Sequence, residues 1–153
     1  MRAKTRNMTG IIVGLVVLIL AAVLFTTLFV KMDKLTTTET VSAGSYAVGG
    51  LNANGVYQET EGSIYTKKNI SADGLTVKLK KDAKVTYKIY FYDVKGGYIS
   101  ATEELTADFG DAVPESAVYA KIVITPTADE DGKVSWKEKS DYAKALTVTV
   151  NKK

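Results

Sequence analysis

Residues 11–30 of this chain, IIVGLVVLILAAVLFTTLFV, run for twenty positions without a charged side chain. A helix of that length rises about 30 Å, the thickness of a bilayer's hydrocarbon core. A helix that folds in water has no use for such a run, because it keeps one face polar. The expected arrangement is a single membrane span followed by a C-terminal domain outside the bilayer.

Flanking charge sets the orientation. Arg2, Lys4 and Arg6 precede the run with no acidic residue among them, whereas Lys31, Asp33 and Lys34 follow it. Basic residues stay on the cytoplasmic side, so the expected topology is N-terminus inside, domain outside. A cleaved secretory signal has a shorter apolar region closed by a small-x-small site. Here Lys-Met-Asp-Lys follows the run, and the first passable site, Val41-Ser-Ala43, lies well downstream. An uncleaved signal anchor fits better. Gly10 and Gly14 form a GxxxG pair, which can seat two helices closely but is also common in such spans.

The expected boundaries are a cytoplasmic tail at 1–10, the span at 11–30, a linker at 31–44 and an extracellular domain at 45–153. The linker, rich in Thr and Ser through LTTTETVSAGS, reads as a solvated spacer. The formal charge of +3 belongs to the tail. Its three basic residues leave 17 lysines against 17 acidic residues beyond the span. The domain has no arginine and no histidine, which argues against nucleic-acid recognition. It also has no cysteine. Exported eukaryotic domains of this size commonly use disulfides, so a bacterial or phage origin is the expected one.

Strand signals dominate the domain. In Lys84–Asp93, KVTYKIYFYD, the residues Val85, Tyr87, Ile89 and Phe91 alternate with Thr86, Lys88, Tyr90 and Tyr92. That period of two predicts a strand with the first set facing the core. YAKIVIT from Tyr119 and LTVTVN from Leu146 alternate in the same way. Weaker strands are predicted at 46–48, 56–59, 63–66 and 75–79. Between strands fall Gly49-Gly50, Asn54-Gly55, Asp73-Gly74, Gly96-Gly97 and Asp131-Gly132, all turn formers. Two short helical turns are expected, at Val113–Ala117 and at Trp136–Ala145. Many short strands with few helical signals predict an all-β domain, an antiparallel β-sandwich.

Three stretches, YAVGGLNANG, KVTYKIYFYDVKGGYIS and VPESAVYAKIVI, carry a resemblance. Their order is similar to that of jelly-roll, carbohydrate-binding-like modules on Gram-positive surface proteins and their phages. In that pattern a buried strand ends in Tyr-Asp, a glycine hairpin follows, and a Pro-Glu-x-Ala-x-Tyr turn opens the next core strand. Here these are Tyr92-Asp93, Gly96-Gly97, and Pro114-Glu115 with Ala117 and Tyr119. The resemblance implies a jelly-roll-like sandwich, and it is architectural rather than functional.

The side-chain inventory narrows the chemistry. Without histidine or cysteine there is no Ser-His or Cys-His machinery and no zinc site of the usual ligands. A carboxylate pair could serve a glycosidase, but the acidic run at Glu103, Glu104, Asp108 and Asp111 reads as solvated loop. No enzyme is expected. A calcium loop is partly matched by Asp129, Asp131, Gly132 and Glu138, with Thr127 where the first ligand should be Asp. The same residues also make an ordinary polar turn, and calcium is the only cofactor in view.

Aromatic residues offer the remaining site. Sugars present C–H faces that stack on exposed rings, with hydroxyls that bond to neighbouring polar groups. Tyr90 and Tyr92, on the outward face of their strand beside Lys88, are expected to form such a platform, with Tyr98 and Trp136 near it where loops converge, Trp136 as a loop-borne third ring, and Asp93 as a hydroxyl acceptor. The alternative is that the rings pack and only their hydroxyls reach water. The function expected is a membrane-anchored extracellular binding module for a glycan or cell-wall polymer. Its alternative is a structural subunit docking a protein partner at the cell surface.

Overall fold

The computed structural model describes residues 16–20, 23, 38–110, 113–127 and 139–151. The chain divides into two compact units, Met1–Thr36 and Thr37–Lys153. In the first, residues 16–20 and 23 are helical. Among the described residues no helix is long and apolar enough to cross a membrane. Most of the expected span lies outside the described residues.

The second unit is built on one long antiparallel ladder. Strand β8 (Val85–Tyr92) pairs with β10 (Tyr119–Pro126) over eight register positions, from Tyr119 opposite Tyr92 to Pro126 opposite Val85. Both strands were legible as alternating runs, because β-branched and aromatic residues suit a pleated, half-buried surface. The larger sheet adds β2 (Tyr46–Val48) and β5 (Ile64–Thr66) on one side and β9 (Tyr98–Ala101) on the other, in the order β2-β5-β10-β8-β9. A further short strand, β6 (Ile70–Ser71), also pairs with β10. The smaller sheet orders β1 (Thr38–Thr40), β11 (Leu146–Asn151) and β7 (Thr76–Leu79) as β1-β11-β7. A two-stranded hairpin, β3 (Gly50–Leu51) and β4 (Tyr57–Gln58), pairs its strands with each other and with neither sheet.

One hydrophobic cluster joins residues of the two sheets. From the larger come Tyr46, Ile64, Tyr87, Ile89, Phe91, Ala120, Ile122 and Ile124; from the smaller come Val77, Leu146, Val148 and Val150. All are buried. The set Val85, Tyr87, Ile89 and Phe91 therefore faces the core as the alternation requires. Among the described residues the buried polar side-chain atoms have partners. Thr66 Oγ1 accepts from Ile122 N at 3.1 Å, filling the gap between the short ladders that β5 and β6 make with β10. Tyr87 Oη donates to Ala107 O at 2.6 Å. These are the features of an antiparallel β-sandwich.

Two local expectations change, and a third is met where the residues are described. Within the expected spacer, Thr38–Thr40 pairs with Thr149–Asn151 and Ala43–Ser45 forms a 3-10 turn. All three β1 side chains are exposed, so the strand left no apolar signature; its cohesion is backbone pairing, continued by Val41 N donating to Val148 O. Val113–Ala117 is not helical. Pro114 opens a single turn closed by Ala117 N donating to Pro114 O. The helix expected over Trp136–Ala145 is Lys139–Ala143 among the described residues.

Candidate functional site

The outward face of β8 and β10 is not bare. Tyr90 and Tyr92 point away from the main core, as parity requires, yet they are only 5% and 6% exposed. With Val123 they form a second apolar cluster, flanked by Leu51, Tyr65, Ala101 and Tyr119. The expected exposure of Tyr90 and Tyr92 as stacking surfaces is thus corrected. The β3–β4 hairpin, arising some forty residues earlier in the chain, contributes Leu51 to the cluster and takes both tyrosine hydroxyls. Tyr90 Oη donates to Leu51 O at 3.1 Å, and Tyr92 Oη to Gly55 O at 2.6 Å.

The hairpin tip explains its own sequence. Asn52 Oδ1 accepts from Asn54 N and Val56 N, at 2.9 and 3.0 Å. Gly55 N donates to Asn52 O, and Asn52 N donates to Val56 O, both at 2.9 Å. Gly55 has φ +70°, the left-handed residue that ends a three-residue hairpin loop. A Cβ there would also lie 2.7 Å from Tyr92 Oη and 2.8 Å from the Tyr98 ring. Glycine is required twice over, by conformation and by space.

Rings continue across this face. Tyr98 lies 6.3 Å from Tyr90 and 6.2 Å from Tyr92 between centroids, and Tyr57 lies 5.4 Å from Tyr65. Lys88 Nζ sits 5.7 Å from the Tyr90 centroid, and Lys121 Nζ 5.9 Å from that of Tyr65, both within cation–π reach. Among the described residues the most exposed tyrosines are Tyr57, 54% exposed, and Tyr98, 38% exposed; Val56 adjoins Tyr57 in sequence, and Val48 and Val94 are exposed as well. Burial pushes the Tyr92 hydroxyl up to about 12, helped by the neighbouring Tyr90 and Tyr98. Burial, then Tyr98 and Glu104, raise that of Tyr90. At neutral pH both are donors, the form their hydrogen bonds need.

Asp93 closes the next turn. Its Oδ1 accepts from Lys95 N at 2.7 Å and Gly97 N at 2.8 Å, while its backbone pairs with Gly97 and Gly96. The carboxylate expected to meet sugar hydroxyls is thus the pin of an Asx turn. Trp136, and the calcium candidates Asp129, Asp131 and Glu138, lie outside the described residues. Among the described residues no group of three or more metal-ligating side chains occurs.

Alternation along β8 brought Tyr90 and Tyr92 into view but could not reveal their cover. Tyr57, Tyr65 and Lys121 were missed as surface partners. The signal that points to Tyr57 is Leu51-Asn-Ala-Asn-Gly-Val-Tyr57, two apolar ends around a glycine loop, a hairpin pattern. At the other end of β8 from Tyr92, Lys80, Lys81, Lys84 and Lys144 line an open cavity of about 590 Å³ with Asp82 and Asp141. Lys144 Nζ there lies 3.9 Å from Asp141 Oδ1, an exposed pair that adds little stability. Compared with protein-family models, with curated proteins and with solved structures, the chain matches none.

Proposed function

We propose that this is a single-pass membrane protein, N-terminus cytoplasmic, that displays a jelly-roll-like β-sandwich outside the cell as a binding module for a glycan or cell-wall polymer. It performs no catalysis in this reading. The anchor is supported by residues 16–20, five consecutive helical positions that span all sides of a helix and leave their apolar side chains 49–71% exposed. Such a surface is at home in lipid rather than water.

The observation that carries the binding proposal is the pair of exposed rings, Tyr57 and Tyr98, each backed by further tyrosines on the larger sheet. Backing rings hold an exposed ring in one orientation, so less side-chain freedom is lost when a sugar stacks on it. Lys88 and Lys121 add hydrogen-bond donors nearby. Compared with the sequence expectation, the stacking role moves from Tyr90 and Tyr92 to Tyr57 and Tyr98. Weak single-site binding suffices when many copies share a membrane, since multivalency raises the effective concentration.

The exposed apolar residues Val48, Val56 and Val94 favour a second reading, docking onto a protein. Two experiments separate them. The full chain in detergent is applied to a glycan array and to isolated cell-wall polymer, and a photo-crosslinking residue is placed at Tyr57 in cells. Saturable glycan binding with no protein crosslink supports the first reading. A single crosslinked protein with no glycan binding overturns it in favour of the second.

A further inference from the structure

We propose that Asn54 is a site of spontaneous deamidation, converting to aspartate and isoaspartate, and that the Tyr92 hydroxyl restrains this reaction by holding the hairpin tip closed. Asn54 is exposed, and among the described residues no hydrogen bond holds its carboxamide. The next residue is Gly55, which has no side chain to obstruct approach to its own amide nitrogen. In the reaction Gly55 N attacks Asn54 Cγ. The N–Cγ bond forms, the Cγ–Nδ2 bond breaks, and ammonia leaves with the proton lost by Gly55 N. Water then opens the cyclic imide at either carbonyl. One product is aspartate; the other is isoaspartate, whose main chain gains a methylene between residues 54 and 55.

The other asparagines of the domain are protected by their surroundings. Asn52 spends its carboxamide oxygen on two backbone amides and precedes Ala53. Asn69 precedes the β-branched Ile70, whose side chain crowds the nucleophile. Asn151 Nδ2 donates to Asp73. At Asn54 the restraint is different. Gly55 N is bonded to Asn52 O, so the tip must open before attack. The Tyr92–Gly55 hydrogen bond opposes that opening. Either product leaves a carboxylate at the tip, and the isoaspartyl form lengthens the chain just before the carbonyl that holds Tyr92. The consequence for binding rests on the glycan reading: a lengthened tip displaces Val56 and Tyr57, so an aged population binds less.

The test uses the full chain in detergent micelles, held at mildly alkaline pH and sampled over weeks by peptide mapping that separates aspartyl from isoaspartyl products. Asn54 should convert ahead of Asn52, Asn69 and Asn151, with the isoaspartyl form present, and Asn54→Gln should abolish the product in that peptide. Tyr92→Phe should speed conversion at Asn54 by about fivefold or more, the factor carried by one buried hydrogen bond, while leaving Asn69 unchanged as an internal clock. Conversion at Asn54 no faster than at Asn69 in the wild-type chain would overturn the site, whatever the variant does. Fast conversion that Tyr92→Phe leaves unaltered would overturn the restraint. Polymer binding, measured separately on aged and fresh protein, bears only on the consequence and leaves the chemical result standing.

Discussion

Replacing Tyr92 by Phe deletes one oxygen atom and keeps the ring, so it isolates the hook between β8 and the hairpin. In the wild-type chain that oxygen donates to Gly55 O over 2.6 Å, and Gly55 is buried. No other described donor reaches this carbonyl. The variant therefore strands a buried acceptor, which costs about 1–3 kcal/mol. For a domain of this size each kcal/mol lowers the melting temperature by about 4 °C, so a drop of about 4–12 °C is expected. The assay is thermal and urea unfolding of the full chain in detergent, followed by the near-ultraviolet tyrosine signal. In urea the midpoint should move while the slope stays constant, the mark of a stability change without a change in exposed area. Tyr98→Phe is the matched control. Its hydroxyl belongs to an exposed ring, and its effect should stay within about 0.5 kcal/mol. Tyr92→Ala should cost about 3–5 kcal/mol, since it also empties the second cluster. Equal stabilities for Tyr92→Phe and Tyr98→Phe would refute the hook, and with it the view that the hairpin is fastened to the sheet by tyrosine hydroxyls.

Other perturbations probe the main core and its chemistry. Ile89→Asp places an unpaired charge at a fully buried position of β8 and should abolish the cooperative melt, because several kcal/mol are lost. Thr66→Val removes the acceptor for the buried Ile122 amide and should cost about 1–3 kcal/mol, with Thr40→Val on the exposed β1 as the near-neutral comparison. Alkaline titration followed by tyrosinate absorbance should show a buried class. Tyr87 and Tyr92 are pushed up to about 12 in the folded chain, against 10 unfolded. Raised values favour the neutral form, so their contribution to stability is complete below pH 10 and is lost as pH rises from 10 to 12. Ionisation of every tyrosine near pH 10 with the sheet signal intact would contradict their burial.

Much of the fold is readable from alternation alone, and what alternation cannot show is what covers each face. Val85, Tyr87, Ile89 and Phe91 announce the core face of β8 because a strand's two faces repeat every second residue. The same parity sends Tyr90 and Tyr92 to the outer face. It cannot say whether that face meets water, since the cover comes from Leu51 and Gly55, far away in sequence. Strands β1, β3 and β6 carry little strand signal of their own: Thr-Glu-Thr has no apolar residue, and Gly-Leu and Ile-Ser have one each. Strand β9 is an edge strand with one exposed and three half-buried residues, which leaves no clean alternation. Asp93 invites a reading as a ligand-binding carboxylate, although the sequence Asp-Val-Lys-Gly-Gly already describes an Asx turn. The candidate site was thus half legible: its aromatic character was visible, but the identity of its exposed members was not. Which rings are exposed depends on one hairpin laid across the larger sheet.

The proposal that the exposed rings bind a glycan or cell-wall polymer is tested most directly by an equilibrium binding isotherm. Full-length protein in detergent is titrated with isolated cell-wall polymer, and wild type is compared with the double variant Tyr57→Ala/Tyr98→Ala, melting temperatures being measured in parallel. Each stacked ring is worth roughly 0.5–1.5 kcal/mol beyond area burial. Two rings together therefore predict affinity weakened by about fivefold to more than a hundredfold, in a domain that still melts cooperatively but at a lower temperature, because the same rings pack on Tyr65, Tyr90 and Tyr92. Wild-type binding that the double variant retains unchanged, or no saturable binding by the wild-type chain, would contradict the account.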